Sequence, residues 1–257
     1  MSKDMISQLK FKKPAGFDHN EFAKKLEAAY LSTNRDGKNT KKSTFSPSTV
    51  GYGHGNCPRY WFIAFNGADF DEEKSGQAIA NMMNGTYSHD RIQKMMGLMG
   101  VPLETEVEIK LQDPPIRGFV DAVVEWDGKR VVGEIKTAKD EVFVIKQASN
   151  KPSGNHMIQV LLYMHVLKIN EGFVMYENKN TQEICIIPVS MNDNNREYID
   201  GVLDWMRSVY KSYTDDILPV RSGTKSSSQC KYCPVKKQCW KEMEEGEAEL
   251  SALSVRK

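Results

Sequence analysis

An Asp-Gly pair set between two runs of β-branched residues constrains this chain more than any other feature: residues 118–137 read GFVDAVVEWDGKRVVGEIKT. Asp-Gly between alternating apolar residues is the strongest short-range signal for a two-residue type I′ hairpin. A loop of that length also sets the register. Trp126 is expected to face Lys129, Glu125 to face Arg130, Val124 to face Val131, Val123 to face Val132 and Val120 to face Ile135, each a favourable cross-strand pair. The same count puts Asp121 directly opposite Glu134. Facing carboxylates destabilise an antiparallel pair, so they need a compensating partner, and a bound hard cation is the simplest one. Because side chains alternate along a strand, Lys136 projects on the face of Glu134. Two carboxylates, a metal and an amine make a hydrolytic site. The carboxylates suit Mg²⁺ or Mn²⁺, and the lysine can position or deprotonate the attacking water. Against this stands the plain reading: Glu-x-Lys on a strand is common as a solvated face, and a three-residue loop would break the register.

The chain has 257 residues of which 40% are hydrophobic, enough for a substantial core in one large domain or two small ones. A net charge of +1 gives no global attraction to nucleic acid, so any such contact has to come from local basic patches. No apolar run approaches the length of a membrane span, and the start MSKDMISQLKFKK lacks the apolar core of a signal peptide. A cytoplasmic protein with reduced thiols and no membrane contact is therefore expected. Neither Gly37-Lys38 nor Gly128-Lys129 completes a phosphate-binding P-loop, so no nucleotide-driven motor is visible.

Residues 1–17 read as a loose arm, and Asp18 then caps a helix to about residue 31 with Phe22, Leu26 and Tyr30 as a packing face. Residues 32–44 read as a polar loop, and RYWFIAF after Pro58 as a short apolar helix. A long helix over residues 73–99 carries Ile79, Met82, Met83, Ile92, Met95, Met96 and Met99 as a wide stripe that includes His89, while Gly85 suggests a close backbone approach. On that spacing alone His89 is more often a core histidine than a ligand. A strand over 105–112 precedes the hairpin. Two helices follow it, the second of them HMIQVLLYMHVLK with Gln159 and Tyr163 one turn apart. Two more strands come next, with Cys185 a core residue of the second, and then a helix over 193–213 with Val202, Trp205, Met206 and Val209 inward. The interleaving is α/β, divided as a helical region over 1–72, a core over 73–220 and a cysteine-bearing segment over 221–257, together one compact unit.

Cys230, Cys233 and Cys239 form a C-x2-C-x5-C run, and three thiols so close point to a metal centre in a reduced compartment. The fourth ligand is Cys57 or Cys185, and Cys57 suits better because it precedes a proline in a glycine-rich loop. Iron-sulfur and zinc are both open at this point, although paired C-x2-C knuckles, the common zinc pattern, are missing.

In their order, His89, Asp121, Glu134-x-Lys136 and Gln159-x-x-x-Tyr163 resemble the RecB-like branch of the PD-(D/E)XK nucleases. Cys57-Pro58-Arg59-Tyr60 with the C-terminal cysteines is similar to its iron-staple subgroup, which includes the CRISPR-associated iron-sulfur exonucleases and phage relatives. The resemblance implies a restriction-endonuclease-like fold, a central mixed sheet with a catalytic hairpin flanked by helices and its two ends tied by four cysteines. It also implies a [4Fe-4S] cluster on Cys57, Cys230, Cys233 and Cys239, and a divalent-metal site of His89, Asp121, Glu134 and the carbonyl of Ile135. Lys136 becomes the catalytic lysine, with Gln159 and Tyr163 supporting the site and touching DNA. In that context His89 shifts from core residue to ligand. Val120 stands where the superfamily's name has proline. The expected activity is a metal-dependent DNA exonuclease on single-stranded or frayed ends in recombination, repair or phage DNA processing, with a homo-oligomer or an annealing partner left open. The alternatives are a catalytically inactive DNA-binding or recombination adaptor that keeps the cluster, and a zinc-stapled nuclease.

Overall fold

The parallel joint between two antiparallel ribbons decides how this chain is arranged. In a computed structural model, which describes residues 16–33, 41–70, 74–241 and 243–255, helices α1 (His19–Thr33), α2 (Pro58–Phe65, after a 3-10 turn at Gly53–Asn56) and α3 (Gly76–Met96) precede the sheet. Strands β1 (Leu103–Leu111), β2 (Ile116–Trp126) and β3 (Lys129–Ala138) pair antiparallel in sequence order. Helices α4 (Asp140–Ser149) and α5 (Gly154–Leu167) then cross over to β4 (Glu171–Asn178), which pairs parallel to β3, and β5 (Ile184–Ser190) closes the sheet antiparallel to β4. A parallel neighbour requires a crossover, and the two helices supply it. Helices α6 (Asp193–Thr214), α7 (Ser228–Lys231) and α8 (Lys236–Lys241) complete the order. The result is the expected α/β fold around a mixed five-stranded sheet.

The hairpin forms as its turn chemistry demands. Asp127 and Gly128 both have positive φ, 49° and 74°, the pair of left-handed positions that a type I′ turn needs. From it the ladder runs Trp126–Lys129, Glu125–Arg130, Val124–Val131 and Val123–Val132 to Ala122–Gly133.

One face of the sheet is covered by α5, whose residues Ile158 to Met164 are all buried, as befits a helix apolar on every side. Behind α5 lie α6 and α2, and every residue of α2 is buried. Phe45, Trp61, Phe65, Tyr210 and Tyr213 form a continuous aromatic cluster there, with ring centroids 4.7 to 5.9 Å apart. Arg59, inside the same helix, is buried without a carboxylate. Its guanidinium donates to the carbonyls of Pro219, Glu244 and Glu245 instead, which fastens the C-terminal segment to α2. The other face of the sheet, with Ala122, Val124, Ile135 and Met175, packs on Ile92 and Met96 of α3.

Two compact units divide the chain, Met1–Asp36 with Glu73–Met83 and Gly37–Glu72 with Asn84–Lys257, and α3 contributes turns to each. Asp18 does cap α1, accepting from the N–H groups of Asn20 and Glu21. Its packing face is not realised: Phe22 and Leu26 are 58% and 51% exposed. The helix expected over 73–99 ends at Met96, and its stripe is narrower than its periodicity suggests: Ile79, Ile92 and Met96 are buried, Met82, Met95 and, beyond the helix, Met99 are exposed. Gly85 faces open space, so it marks no close backbone approach. The arm at residues 1–15 and the polar loop at 34–40 lie outside the described residues. No helix among the described residues is long and apolar enough to cross a membrane.

Gly55 is where the turn at residues 53–56 comes closest to its neighbours. A Cβ there would sit 1.8 Å from the carbonyl oxygen of Thr49, and the Gly55 carbonyl accepts from the Trp61 indole at 2.8 Å. Backbone cannot yield as a side-chain tip can. Gly55→Ala is therefore expected to destabilise the fold by about 2 kcal/mol or more, read as a lowered urea midpoint at unchanged slope.

Candidate active site

The backbone ladder opens where the acidic residues sit. Beyond Ala122–Gly133 the pairing of β2 with β3 stops, so Asp121 is not the ladder partner of Glu134, and Val120 pairs with Val107 of β1 rather than with Ile135. Two facing carboxylates resist a closed ladder, while β3 stays paired with β4 on its other edge through Ala138. The gap is filled by a side chain. Asp121 Oδ2 accepts the N–H of Ile135 at 2.6 Å.

A second gap lies on the other side of Asp121. Thr105–Ala122 and Val107–Val120 pair, but Glu106 between them has φ of 52° and no ladder partner. Gln93 bridges this break, its amide nitrogen donating to the main-chain oxygen of Asp121 and to the Glu106 carboxylate, both at 2.8 Å. Neither Gln93 nor Glu106 was singled out by the sequence reading. Gln93 had a signal, since it follows His89 by one helical turn and so shares its face.

Despite the open ladder, the expected residues converge. Asp121, Glu134, Lys136, Gln159 and Tyr163 line one pocket of about 490 Å³, whose outer wall includes Ser46, Pro47 and Ser48. Glu134 is ion-paired with the Lys136 ammonium, yet neither of its oxygens has a well-directed hydrogen bond. His89 Nδ1 lies 3.7 Å from Asp121 Oδ1. Gln159 donates to the Tyr163 hydroxyl at 3.0 Å, so each of these two buried polar groups has a partner. Ile135 enters through its backbone, with its side chain in the core on the far face.

Burial dominates the electrostatics. It raises Asp121 above the usual carboxylate range against the pull of His89, the Ile135 N–H and Lys136. Glu134 is pushed up to about 8, first by burial and then by the Asp121 carboxylate. Tyr163 is raised too, by burial and by Glu134, so its hydroxyl stays protonated. Next to the pocket His156 is held down to about 3 by burial and by Lys136 and Lys146, and its Nδ1 meets the Tyr176 hydroxyl at 2.7 Å.

Among the described residues no three His, Cys, Asp or Glu side chains stand at metal-holding spacing, and Glu134 is paired with the Lys136 ammonium. The donor set nevertheless suits a hard cation in kind. It offers two carboxylates and an imidazole, with two buried oxygens that lack directed donors.

Four of the cysteines come near one another at the N-terminal end of α2. Cys57 caps that helix, Cys230 lies in α7 and Cys239 in α8, and all are half-buried free thiols. Burial pushes Cys233 up to about 12, and Cys57, Cys230 and Cys239 are near enough to add to the shift. Burial raises Cys57 as well, although Ser222 Oγ stands 3.6 Å from its sulfur. Cys185 remains apart in β5, half-buried against the core. Arg221 braces the group by donating to the carbonyls of Cys239, Met243 and Glu244, with its guanidinium 4.7 Å from the Trp240 ring centroid.

The raised Glu134 makes a stability prediction with a definite sign. As pH climbs from the usual carboxylate range toward 8, the unfolded chain gives up this proton while the folded chain keeps it, so native stability falls across that window. Glu134→Gln removes the titration. Thermal melts of the metal-free protein are expected to show the variant pulling ahead of wild type as pH rises, by about 5 °C near pH 8.

A comparison with protein families matches residues 55–240 to the PD-(D/E)XK nuclease superfamily. No curated protein matches the sequence. Among solved structures, LHK-Exo in complex with dAMP is 14% identical, covering 75% of this chain and 93% of its own, with a TM-score of 0.50. The alkaline exonuclease LHK-Exo from Laribacter hongkongensis, in a second structure, is 13% identical over 75% and 95% of the chains with a TM-score of 0.49. SSO0001 is 16% identical over 87% and 98%, with a TM-score of 0.47. The mixed sheet, the hairpin with its open end and the family match agree, and the chain belongs to the PD-(D/E)XK nuclease superfamily.

Proposed function

We propose that this protein is a metal-dependent DNA exonuclease acting on single-stranded or frayed ends in recombination, repair or phage DNA processing. Glu134 carries the reading: a carboxylate only 1% exposed, beside a second carboxylate, with neither oxygen in a directed hydrogen bond. Such a group is costly to hold unless a cation completes it. In this reading His89, Asp121, Glu134 and the Ile135 carbonyl hold Mg²⁺ or Mn²⁺. When bound, the cation supplies Lewis-acid activation of water and neutralises charge on the phosphoryl group.

The remaining chemistry belongs to the chain. Lys136 turns from Glu134 to the attacking water and positions it, its ammonium donating to the water oxygen while the water's proton passes to solvent. Because the Tyr163 oxygen accepts from Gln159, its own proton is free to reach a phosphate oxygen of the strand. Gln93 and the Ile135 N–H hold Asp121 in place across the two gaps. The likeness in fold to LHK-Exo is in keeping with end-directed cutting. Residues 73–220 form the catalytic core, in a cytoplasmic setting that keeps the thiols reduced.

The reading extends to a [4Fe-4S] cluster on Cys57, Cys230, Cys233 and Cys239, with zinc as the alternative occupant. Four free neighbouring thiols support it, although drawing the sulfurs to ligand distance requires their loops to close.

Asp121→Ala, Glu134→Ala and Lys136→Ala should each lower Mg²⁺- or Mn²⁺-dependent digestion of end-labelled DNA by at least a factor of about 1000 while circular dichroism stays native. Metal-dependent activity surviving in all three would refute the assignment. For the thiols, an anaerobic preparation should carry visible absorption with iron and sulfide in equal amounts, both lost in Cys57→Ser. A colourless protein containing zinc instead would establish the alternative.

A further inference from the structure

One group at the mouth of the pocket has no part in the chemistry above. Phe119, two residues before Asp121 on β2, lines the pocket and is 47% exposed. Single exposed phenylalanines are ordinary, so exposure alone means little. This one keeps particular company. Arg117, also lining the pocket, sets its guanidinium 5.6 Å from the Phe119 ring centroid. The hydroxyl-bearing residues Thr44, Ser46 and Ser48 line the same pocket, and Gly118 makes their close approach possible. A Cβ on Gly118 would lie 3.0 Å from the Pro47 ring and 3.3 Å from the Tyr163 ring. An apolar ring, a cation and hydroxyls thus edge a pocket whose floor is two carboxylates and a lysine.

We infer that Phe119 is a stacking platform for the unpaired base of a nucleotide next to the bond being cut, with Arg117 taking an adjoining phosphate. The inference rests on the nuclease reading and narrows its substrate to strands with an unpaired base at the site. Two residues of strand span about 7 Å, a reach that one nucleotide of an extended strand can cover. A base inside a duplex has both faces stacked on its neighbours, so only a single-stranded or frayed end can offer one to the ring. Arg117 is free to change partner: its ion pair with Glu108 is solvent-exposed and therefore weak. Glu108 keeps a second cation, Lys110 at 2.7 Å, when Arg117 turns away. The carboxyl of Glu108 is held below its ordinary range by Lys110 first and Arg117 second, in line with that order.

The test pairs a change in the protein with a change in the DNA. Single-turnover cleavage of the first bond is measured on end-labelled single strands that are intact or carry a tetrahydrofuran abasic residue at the terminal or the penultimate position. Wild type is expected to lose about tenfold in rate at one of these placements, the scale of one base–aromatic stack. Phe119→Ala should cut the intact and abasic strands at the same rate, which also matches wild type on the abasic strand. Phe119→Trp should restore the discrimination, and Phe119→Leu, which fills the same space without the aromatic face, should lack it. A full abasic penalty in Phe119→Ala or Phe119→Leu, or none in wild type at either placement, overturns the platform while leaving the nuclease intact. Absence of any wild-type cleavage with Mg²⁺ or Mn²⁺ instead removes the nuclease reading, and the platform with it.

Discussion

Two carboxylates kept out of water at a gap in a β-sheet set the terms for the structure around them. Asp121 sits where β2 has lost a backbone partner on both sides, and Glu134 faces the same space from β3. The gap opens where the two carboxylates face each other, although β3 keeps its pairing with β4 on its other edge. What the ladder gives up, side chains recover: Asp121 takes the Ile135 N–H, and Gln93 takes the Asp121 carbonyl. Glu134 is left without directed hydrogen bonds, and its ammonium partner is the lysine two residues on. An environment that opposes negative charge this strongly is poised for a cation, and pKa values displaced by burial are a frequent mark of working sites.

The second organising device is a pair of arginines that gather main-chain carbonyls, Arg221 pairing with the Glu245 carboxylate as well. Arg59 from the N-terminal half collects the carbonyls of Pro219, Glu244 and Glu245, while Arg221 collects those of Cys239, Met243 and Glu244. A guanidinium presents several donors in a fixed fork, so one side chain can satisfy a whole turn of exposed carbonyls. The Arg59 contacts close loops of 160 to 186 residues, where closure entropy is greatest. They also bring Cys57 beside the C-terminal cysteines by protein contacts alone. Any group held by those thiols adds to a junction that the chain already makes.

Much of this was legible in the residues. The hairpin register came out pair for pair from Trp126–Lys129 to Val123–Val132, because a two-residue turn leaves no slack. Helix α5 was readable from its unbroken apolar run, and Gln159 and Tyr163 from their spacing on it. Where the reading failed, periodicity had been taken for burial. Met82, Met95 and Met99 share the spacing of the stripe but are exposed, and Gly85 has space around it. Phe22 and Leu26 show the same for α1: a stripe describes what a helix could bury, and the fold chooses how much of it is covered.

The division between what the chain determined locally and what the fold decided follows from the range of the forces involved. Turn chemistry, strand alternation and capping act within a few residues, so the hairpin, the cap at Asp18 and the acid-acid-lysine grouping were fixed before any tertiary contact. The opening of the β2–β3 ladder, the left-handed kink at Glu106, the Gln93 bridge and the wall formed by Ser46, Ser48 and Phe119 were not. Each depends on an approach by residues far away in sequence. Such approaches decide how much charge is buried and which polar groups meet, and those quantities exist only once the chain has folded.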